Sequence, residues 1–513
     1  MKNKFGKVYL VGAGPGEVGL ITVKGVEALK KAGCVIYDYL ANEKLLTHVK
    51  KNVECIYVGK RGRFRSATQE RISKLIIKKS REGKVVVRLK GGDPFILGRG
   101  GEEARALYGE GIPFEVVPGV SSISAVPAYA GIPLTDRSMA SQVTVITGQE
   151  MSGRGKSAID WKGLATVGGT IVVLMGWKNL KRITGKLIDN GKDPETPVAL
   201  VRWGTLPEQK TLTGTLANIA GMAKEENIMP PVVTVIGGVV GLRKKLNWFE
   251  ERPLFGRRVL VTRTRAQAEK FIDILETKGA QTVAVPVIKT VAPTSSAKMD
   301  QAIKKLSSYD WAIFTSVNGV KYFFKRLYSL GLDIRELKGV KICCIGPASR
   351  DEVTKRGIKV DLVPGEYVAE GVIREFQKKG VNSIRGKRFL LPRAEVARDV
   401  IPKEIKKLGG KIDVAPSYKT ICPKKEAEEI KSLIKKGKVD VVTFTSGSTV
   451  TNFVSLFKKN ELTKALKSIT VACIGPVTTK TAEDFGLTVK IKAKKYTLDG
   501  LASAMERYFT KEL

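Results

Sequence analysis

Residues 7–17 read KVYLVGAGPGE, an apolar run that ends in a glycine-rich turn. Similar runs with Gly or Pro at their ends follow along the first half of the chain, and helical patterns such as GVEALKKAG lie between them. The later runs include VVVRLKGGDP, FEVVPGV, QVTVITG, TIVVLMG and PVALVRWG. Alternation of strand and helix is typical of α/β domains with mostly parallel sheets. We therefore predict an α/β fold.

The turn at Gly12 imitates a dinucleotide-binding motif, because Gly12 and Gly14 follow a strand and Asp38 ends the next strand. Glu17 stands where that motif has its third glycine, and its charge would repel a phosphate group. Pro15 also removes a backbone N–H from the turn. The motif therefore argues against a nicotinamide dinucleotide as the ligand.

The composition narrows the class of protein. Of the 513 residues, 43% are hydrophobic and 27% charged, which suits a folded protein of several domains. No apolar run approaches the roughly 18 residues that cross a bilayer, and the chain starts without a signal-peptide pattern, so we expect a cytoplasmic protein. The one histidine, His48, excludes most histidine-based triads and zinc sites, and no metal is expected. The six cysteines form no CxxC pair and are expected to be buried free thiols.

The net charge of +39 has three interpretations. A nucleic-acid partner is one of them, and a polyanionic small substrate is another. Lysine-rich, solvated helix faces are the third. The charge is spread over the whole chain without a basic tail, and aromatic residues make up only 7%, which argues against nucleic acid.

The second half of the chain contains an internal repeat. RVLVTRTRA at Arg258 is echoed by RFLLPRAEV at Arg388, and DWAIFTSVNG at Asp310 is echoed by DVVTFTSGST at Asp440. The pairs VAVPVIKT with DVAPSYKT and VKICCIGPAS with ITVACIGPVT follow the same offset of about 130 residues. Four motifs in one order predict a duplicated α/β unit, hence two similar lobes with a cleft between them. The charged segment LNWFEERPLFG, residues 246–256, marks the boundary before this half.

The ordered motifs of the first half resemble those of a known enzyme family. VGAGPGE, RLKGGDPFILGRGGEE, VVPGVSS, AYAGIPLTDR, VLMG and PVALVRWGT together are similar to the uroporphyrinogen-III C-methyltransferases. The resemblance implies a two-lobed tetrapyrrole-methyltransferase fold over residues 1–248, with S-adenosyl-L-methionine in the cleft. It also implies methylation of uroporphyrinogen III at C2 and C7 to precorrin-2, and a homodimer formed through this half.

The resemblance assigns roles to individual residues of the first half. Asp38 matches the family's proposed proton acceptor and Lys60 its proposed proton donor. Many relatives have histidine where Asp136 and Gln149 stand, and Asp136 would need a partner such as Arg137 beside an acidic substrate. The implied cofactor contacts are Pro15, Gly91, Gly92, Asp93, Ile96, Ser121, Ser122, Met175 and Gly204. From its residue type alone, Asp93 is suited to a cation or a ribose hydroxyl.

The second half resembles uroporphyrinogen-III synthase. The similar pieces are VLVTR, VPVIKT, CCIGPAS, LVPGEYVAEG, RFLLPRAE, APSYKT and VVTFTSGSTV. The family resemblance implies an internally duplicated, flavodoxin-like enzyme over residues 256–513, after a linker at 249–255. One lobe then holds residues 293–416, and the other combines 256–292 with 417–513. The reaction implied is closure of hydroxymethylbilane to uroporphyrinogen III with inversion of ring D.

Hydroxyl and guanidinium groups at strand ends are the candidate substrate contacts of this half. Strand ends before helices present free N–H groups and a positive dipole end, which suit carboxylates. Tyr418 matches the family tyrosine suggested to assist loss of the hydroxyl. The candidate substrate-binding residues are Arg263, Ser316, Asn318, Arg393, Thr445, Ser446 and Ser448, although the Ser, Thr and Asn residues also fit plain helix caps.

Two other functions stay open at this point. A methyltransferase that acts on another precorrin would share the first half's fold, and a basic nucleic-acid-binding protein would share the charge. The polycarboxylate substrates of a tetrapyrrole enzyme are compatible with the positive net charge, because a positive cleft would attract them. The end product, sirohaem or cobalamin, is not indicated by the sequence.

Overall fold

The computed structural model describes residues 5–59, 68–150, 157–263, 265–397, 399–421 and 423–510. The chain forms two compact units. The first comprises Met1–Arg258, Ile274–Gln281 and Met505–Leu513, and the second comprises Val259–Asp273 and Thr282–Ala504. Within the described ranges, no helix is both long enough and apolar enough to cross a membrane.

The first unit begins with a parallel five-stranded sheet, in the order β3-β2-β4-β1-β5. Its middle strands β2, β4 and β1 are largely buried on both faces, as continuous apolar runs in parallel sheets usually are, whereas β3 at one edge has the exposed Cys55. Leu10 packs towards α2 and α3, whereas its neighbour Val11 packs towards α1, because successive strand residues point to opposite faces. The elements are β1 (Val8–Gly12), α1 (Val23–Lys31), β2 (Cys34–Tyr37), β3 (Glu54–Tyr57), α2 (Gln69–Arg81), β4 (Val86–Lys90), α3 (Gly100–Gly109), β5 (Phe114–Val117) and α4 (Ser122–Tyr129).

The second sheet of this unit is mixed, in the order β6-β7-β10-β8-β9. The sequence pattern predicts mostly parallel strands, but β10 is antiparallel to both of its neighbours and β8 is antiparallel to β9. β8 and β9 are joined by residues 203–209 alone, a connection too short for a parallel crossover. The elements are β6 (Val143–Thr147), α5 (Trp161–Thr166), β7 (Thr170–Leu174), α6 (Leu180–Asp189), β8 (Pro197–Arg202), β9 (Lys210–Thr215), α7 (Ile219–Glu225), β10 (Val232–Ile236) and α8 (Arg243–Leu246).

The segment 249–255, expected to be a linker, is packed against the first unit. Phe249 is buried, and its ring meets the ring of Tyr129 edge to face. The Glu250 carboxylate accepts hydrogen bonds from Gln209 Nε2 at 2.8 Å and from Arg243 Nη2 at 2.5 Å. We name residues 249–255 the junction segment.

The second unit contains two five-stranded sheets, and each of them takes strands from both copies of the repeat. Their orders are β12-β11-β18-β19-β20 and β13-β17-β16-β14-β15. The strands are β11 (Arg258–Val261), β12 (Gln281–Ala284), β13 (Lys289–Val291), β14 (Trp311–Phe314), β15 (Lys341–Cys344), β16 (Arg388–Ala394), β17 (Lys411–Ile421), β18 (Val441–Phe444), β19 (Thr470–Cys473) and β20 (Val489–Lys492). β14 pairs with β15 in parallel, and β18 pairs with β19 in the same way, so the duplicated fold is confirmed.

Helices cover the sheets of the second unit. They are α9 (Arg265–Thr277), α10 (Ala297–Lys304), α11 (Val317–Ser329), α12 (Pro347–Thr354), α13 (Ala369–Lys378), α14 (Val400–Lys407), α15 (Lys424–Lys435), α16 (Gly447–Val454), α17 (Lys459–Leu466), α18 (Pro476–Asp484) and α19 (Leu498–Thr510). The last parts of α9 and α19, from Ile274 and from Met505, belong to the first unit. β13 and β17 run antiparallel to each other, with Thr290 opposite Thr420. β13 includes the end of the sequence piece PVIKT and β17 contains PSYKT, and both pieces lie next to the expected lobe boundaries at 292/293 and 416/417.

Cys34, Cys343, Cys344 and Cys473 are buried free thiols, as expected, whereas Cys55 is exposed; Cys422 lies outside the described residues. Burial raises the pKa of Cys34 to about 11 and that of Cys344 to about 12. The thiolate is the reactive form, so buried thiols of this kind are inert.

We expect iodoacetamide at pH 8 to label Cys55 in the native protein and to leave the four buried thiols unlabelled. Exposure admits the reagent at Cys55, whereas burial both excludes it and keeps the other groups protonated. Peptide mass spectrometry after brief labelling gives the readout, and labelling in guanidinium is the positive control. Rapid native labelling of the peptide that carries Cys343 and Cys344 would contradict this packing.

Candidate active sites

Most of the first half's candidate residues lie at one edge of its parallel sheet. β1, β2, β4 and β5 are parallel, so their carboxyl ends meet at the same edge, where ligands of open α/β sheets usually bind. Pro15 follows β1, Asp38 follows β2, and Gly91 and Gly92 follow β4. Ser121 comes shortly after β5. The structure thus brings residues from four separate motifs to one place.

Three glycine backbones pack against each other at this edge. A Cβ on Gly12 would lie 2.5 Å from Gly119 Cα and 2.7 Å from the Gly92 carbonyl oxygen. Gly14 and Gly92 each donate an N–H to the other's carbonyl, at 3.2 and 2.7 Å, and both have positive φ angles. A side chain at Gly12 would push the turns apart, and the two positive φ angles favour glycine. The glycine-rich motifs therefore form a tight backbone cradle.

Asp93 holds this cradle together. Its Oδ1 accepts the N–H of Phe95 at 2.8 Å, and its Oδ2 accepts the N–H of Gly119 at 3.0 Å. The carboxylate thus fixes the turn after β4 to the turn after β5. Ile96, two residues beyond Pro94 in the same turn, has an exposed side chain.

The amino-terminal end of α4 faces the cradle. Ser121 caps this helix, because its Oγ accepts the N–H of Ile123 at 3.2 Å. A Cβ on Gly92 would lie 3.7 Å from the Ser122 nitrogen, with no other heavy atom within 4 Å. The first N–H groups of α4 are therefore close to the turn after β4.

The second sheet contributes the turn after β8. A Cβ on Gly204 would lie 2.7 Å from Val126 Cγ2 of α4, so this turn packs directly on the helix. Thr205 Oγ1 accepts the Glu17 N–H at 3.1 Å, which joins the same turn to the turn after β1. Met175, which follows β7, is half exposed and has a positive φ angle. Contacts thus join the turn of Gly204 to α4 and to the turn after β1. The position of Met175 follows only from its place directly after β7.

Asp38 is paired with a buried arginine that the sequence analysis does not single out. Asp38 Oδ2 accepts from Arg88 Nη2 at 2.9 Å, and its Oδ1 accepts the N–H of Leu40 at 3.2 Å. Arg88 Nε in turn donates to Glu103 Oε1 at 3.2 Å. The signal for these partners is VVVRLKGG, in which Arg88 and Lys90 stand two apart in an apolar strand and so share one face.

Glu103 is the centre of this buried charge cluster. Its Oε1 also accepts from Lys90 Nζ at 3.0 Å and from Gln69 Nε2 at 2.9 Å. Burial lowers the pKa of the Lys90 ammonium. All of these donors bind Oε1, whereas Oε2 is buried without a hydrogen-bond partner among the described residues, so the buried carboxylate depends on two cations and one amide.

The family resemblance also singles out three other residues of the first half, Lys60, Asp136 and Gln149. Lys60 lies outside the described residues. Asp136 does not pair with Arg137; its Oδ1 accepts the N–H of Ser138 at 2.9 Å and its hydroxyl at 2.6 Å. These hydrogen bonds hold the pKa of Asp136 below its usual range. Gln149 is exposed, and its N–H donates to Thr147 Oγ1 at 3.2 Å.

In the second unit, Tyr418 and Ser316 are brought into contact across two elements. The Tyr418 hydroxyl on β17 lies 3.1 Å from Ser316 Oγ, which precedes α11. Ser316 Oγ also accepts the N–H of Gly319 at 3.0 Å and so caps α11. The Tyr418 ring stacks on that of Tyr322, with centroids 5.7 Å apart. Ser316 is therefore a helix cap and a hydrogen-bond partner of the tyrosine at once.

The second copy of the repeat presents the corresponding helix start. Ser446 caps α16, since its Oγ accepts the N–H of Thr449 at 3.4 Å, and Ser448 Oγ lies 3.0 Å from Ser446 Oγ. Thr445 is half-buried directly before this cap, and Asn318 is half-buried in the first turn of α11. The candidate hydroxyl and amide groups thus lie at two equivalent helix starts.

The two arginines occupy equivalent strand ends. Arg263 follows β11, and Arg393 lies near the end of β16. Arg393 Nη2 donates to Asp399 Oδ1 at 2.6 Å, and this pair holds the pKa of Asp399 below its usual range. Arg393 is therefore held by an acidic side chain of the protein itself.

The fold and these sites define an α/β enzyme of two catalytic units, with a glycine-backbone cradle in one and paired helix starts in the other. The family model of the Tetrapyrrole (Corrin/Porphyrin) Methylases matches residues 7–220, and that of Uroporphyrinogen-III synthase HemD matches residues 269–503. The "Porphyrin biosynthesis protein HemD" of Ruminiclostridium josui is 37% identical over 500 residues, which are 97% of each chain. The chain belongs to this family, in which a uroporphyrinogen-III C-methyltransferase is joined to a uroporphyrinogen-III synthase.

Each half also has relatives of its own. The S-adenosyl-L-methionine-dependent uroporphyrinogen III methyltransferase of Methanosarcina barkeri is 49% identical over 242 residues, 47% of this chain and 95% of the relative. A crystal structure of uroporphyrin-III C-methyl transferase from Thermus thermophilus, complexed with S-adenyl homocysteine, aligns at 38% identity. That alignment covers 46% of this chain and all of the other, with a TM-score of 0.40.

Proposed function

We propose that the second half closes hydroxymethylbilane to uroporphyrinogen III and that the first half methylates this product at C2 and C7 to precorrin-2. The observation that carries the proposal is the match to one relative along 97% of both chains, which includes both catalytic units. The cradle of the first unit and the paired helix starts of the second support the proposal, because each unit has a candidate site for one of the two reactions.

The residues of the cradle fit S-adenosyl-L-methionine as the methyl donor. Gly12 and Gly119 let the strand-end turns pack backbone to backbone, whereas a Cβ on Gly92 would meet only the Ser122 nitrogen at 3.7 Å, so a ligand can approach the backbone closely at Gly92. The N–H groups at the start of α4 suit the carboxylate of an amino acid. The bound cofactor supplies an activated methyl group on a sulfonium. The chain itself holds and orients the reactants, and positioning of this kind carries much of the rate of a displacement.

Asp38 is proposed to take the proton that leaves the macrocycle after methyl transfer. It stands at the strand-end edge with its carboxylate held by Arg88 and by the Leu40 N–H. A carboxylate that is oriented in this way is suited to accept a proton on one of its oxygens. Lys60 is retained as the proposed donor on the family resemblance.

In the second half, Tyr418 is proposed to assist loss of the substrate's hydroxyl. The tyrosine gives its phenolic proton to the hydroxyl, which leaves as water with the electron pair of the C–O bond. The pyrrole N–H proton then passes to the tyrosinate, which gives the neutral azafulvene and restores the phenol. Ser316, 3.1 Å from the phenol oxygen, orients this group. The helix starts capped by Ser316 and Ser446 present N–H groups for the substrate's carboxylates. The remaining candidates, Arg263, Asn318, Arg393, Thr445 and Ser448, are proposed as further carboxylate contacts.

The test of the proposed function is incubation of the purified protein with hydroxymethylbilane, with and without S-adenosyl-L-methionine, followed by identification of the macrocycle. Uroporphyrinogen III is expected without the methyl donor and precorrin-2 with it. Spontaneous closure gives the uninverted isomer I, so isomer I alone would contradict the synthase assignment. Unmethylated uroporphyrinogen III in the presence of the donor would contradict the methyltransferase assignment.

Replacement of Asp38 by asparagine is expected to slow methyl transfer at least about tenfold, because an amide cannot take up the proton. Cofactor affinity should stay within about twofold, since the cradle itself is unchanged. Single-turnover methylation and calorimetric titration with S-adenosyl-L-methionine measure the two quantities separately. An unchanged single-turnover rate would remove Asp38 from the reaction.

Other expectations remain predictions. They are a homodimer formed through the first half, a cytoplasmic location, function without a metal, and supply of precorrin-2 to sirohaem or cobalamin synthesis. Sedimentation equilibrium of the purified chain tests the dimer directly.

A further inference from the structure

In the charge cluster of Asp38, Arg88, Lys90 and Glu103, three side chains are buried and one is partly exposed to solvent. The side chains of Arg88, Lys90 and Glu103 are 3%, 4% and 0% exposed, whereas that of Asp38 is 27% exposed. Asp38 is therefore the member of the cluster that reaches solvent, and it does so at the strand-end edge.

Arg88 is held on every side of its guanidinium group. Nε donates to Glu103, and Nη2 donates to Asp38. Nη1 donates to the carbonyl oxygens of Leu89 at 3.1 Å and Ile36 at 3.4 Å. The planar fork of arginine has few ways to satisfy these directions at once, so its orientation is fixed by the sheet and by Glu103. The Asp38 carboxylate, which Arg88 Nη2 binds, is therefore held in a fixed orientation as well.

Burial of so many charges is costly unless their arrangement is maintained, and an equivalent apolar packing would be at least as stable. A stability role alone therefore does not account for a cluster that ends in a half-exposed carboxylate. Lys90 is also the residue directly before Gly91, and its carbonyl accepts the Ala13 N–H at 2.7 Å. The same strand end thus carries both the cluster and the cradle.

We propose that Arg88, oriented by Glu103, is a positioning residue for Asp38 in methyl transfer. It fixes Oδ2 of Asp38, so that the carboxylate faces the reacting macrocycle in one orientation. The inference rests on the proposed role of Asp38 as the proton acceptor. Arg88 itself acts through Asp38 and needs no contact with either substrate.

The experiment is a double-mutant cycle in the full chain, with Arg88→Gln, Asp38→Asn and the two together. Arg88→Gln is expected to lower the single-turnover methylation rate about tenfold, since a misplaced catalytic group is slow. In the Asp38→Asn background the same change should have no further effect, because residues that act as a unit are not additive.

Four controls accompany the cycle. Calorimetry with S-adenosyl-L-methionine should give an unchanged affinity, and uroporphyrinogen III formation by the second half of each variant reports correct folding of that half. Arg81→Gln breaks the exposed ion pair with Glu110 on the same sheet's covering helices and should leave the methylation rate unchanged. Arg88→Lys keeps one charged contact and should lie between the wild type and Arg88→Gln; it also serves if Arg88→Gln does not fold.

The possible outcomes separate the inference from the function on which it rests. If Asp38→Asn is slow and Arg88→Gln and Arg88→Lys are as fast as the wild type, the positioning role is wrong while the role of Asp38 stands. Equal effects of Arg88→Gln in both backgrounds would also overturn it, because they would show independent action. If Asp38→Asn is as fast as the wild type, the proposed proton acceptor fails, and the positioning role fails with it.

Discussion

Replacement of Asp93 by alanine is expected to weaken S-adenosyl-L-methionine binding about a thousandfold, while ring closure by the second half continues at the wild-type rate. Asp93 accepts the N–H groups of Phe95 and Gly119 and so joins the turns after β4 and β5. Hydrogen bonds to a charged group contribute about 1.5–3 kcal/mol each, and two of them lost from the binding-competent turn amount to about 4 kcal/mol. Calorimetric titration measures the loss.

Two variants calibrate this result. Asp93→Asn keeps one acceptor oxygen and should bind the cofactor with intermediate affinity. Asp160 accepts the Gly163 N–H at 3.0 Å as the cap of α5, so Asp160→Ala removes a similar contact elsewhere in the same unit. It should leave cofactor affinity unchanged. Normal binding by Asp93→Ala would show that the cradle holds without its carboxylate.

Replacement of Tyr418 by phenylalanine is expected to reduce uroporphyrinogen III formation about a hundredfold, because the departing hydroxyl loses its proton source. The uncatalysed isomer I should then dominate the products. Ser316→Ala should cost less, about threefold, since it removes one orienting hydrogen bond and a helix cap but leaves the phenol. The ratio of the two isomers by chromatography is the readout.

A matched tyrosine tests whether the loss is specific. Tyr328 lies on α11 with a half-exposed ring, and Tyr328→Phe removes the same hydroxyl from a residue outside the site. Its isomer ratio should equal that of the wild type. A wild-type ratio from Tyr418→Phe as well would mean that the phenol plays no part in the departure of the hydroxyl.

The sequence predicts two parts of the fold best: the glycine-rich turn at residues 12–16 and the repeat of the second half. The turn is predicted from the local chemistry of glycine, and the repeat from direct comparison of the chain with itself. The antiparallel β10 was not predictable in the same way, because a buried strand reads as the same apolar run in either direction. Strand direction follows from the connections between strands. Residues 203–209, which join β8 to β9, do not match the short turn motifs that identify a hairpin in sequence.

The pairing of Asp38 with Arg88 illustrates what sequence alone does not provide for the site. The two residues are 50 positions apart, and they meet because β2 and β4 are neighbours in the sheet, with Ile36 opposite Arg88. That strand order is a property of the whole sheet. The charged residues of VVVRLKGG indicate that something must neutralise them, but they do not indicate which carboxylate does so.

The junction segment bears on how the two enzymes can come apart. Phe249 and Glu250 belong to the packing of the first unit, and removal of Glu250 would leave Arg243 without its carboxylate. Further on, Leu254 is buried and its N–H donates to the Lys278 carbonyl at 2.9 Å. All of these contacts lie within the first unit, so a gene fission or a protease cut in the junction segment would remove packed residues from that unit. Arg252 also lies over the Trp248 ring, 4.7 Å from its centroid. The junction segment is thus part of the first unit's packing, and an evolutionary separation of the two enzymes would require repair of that unit.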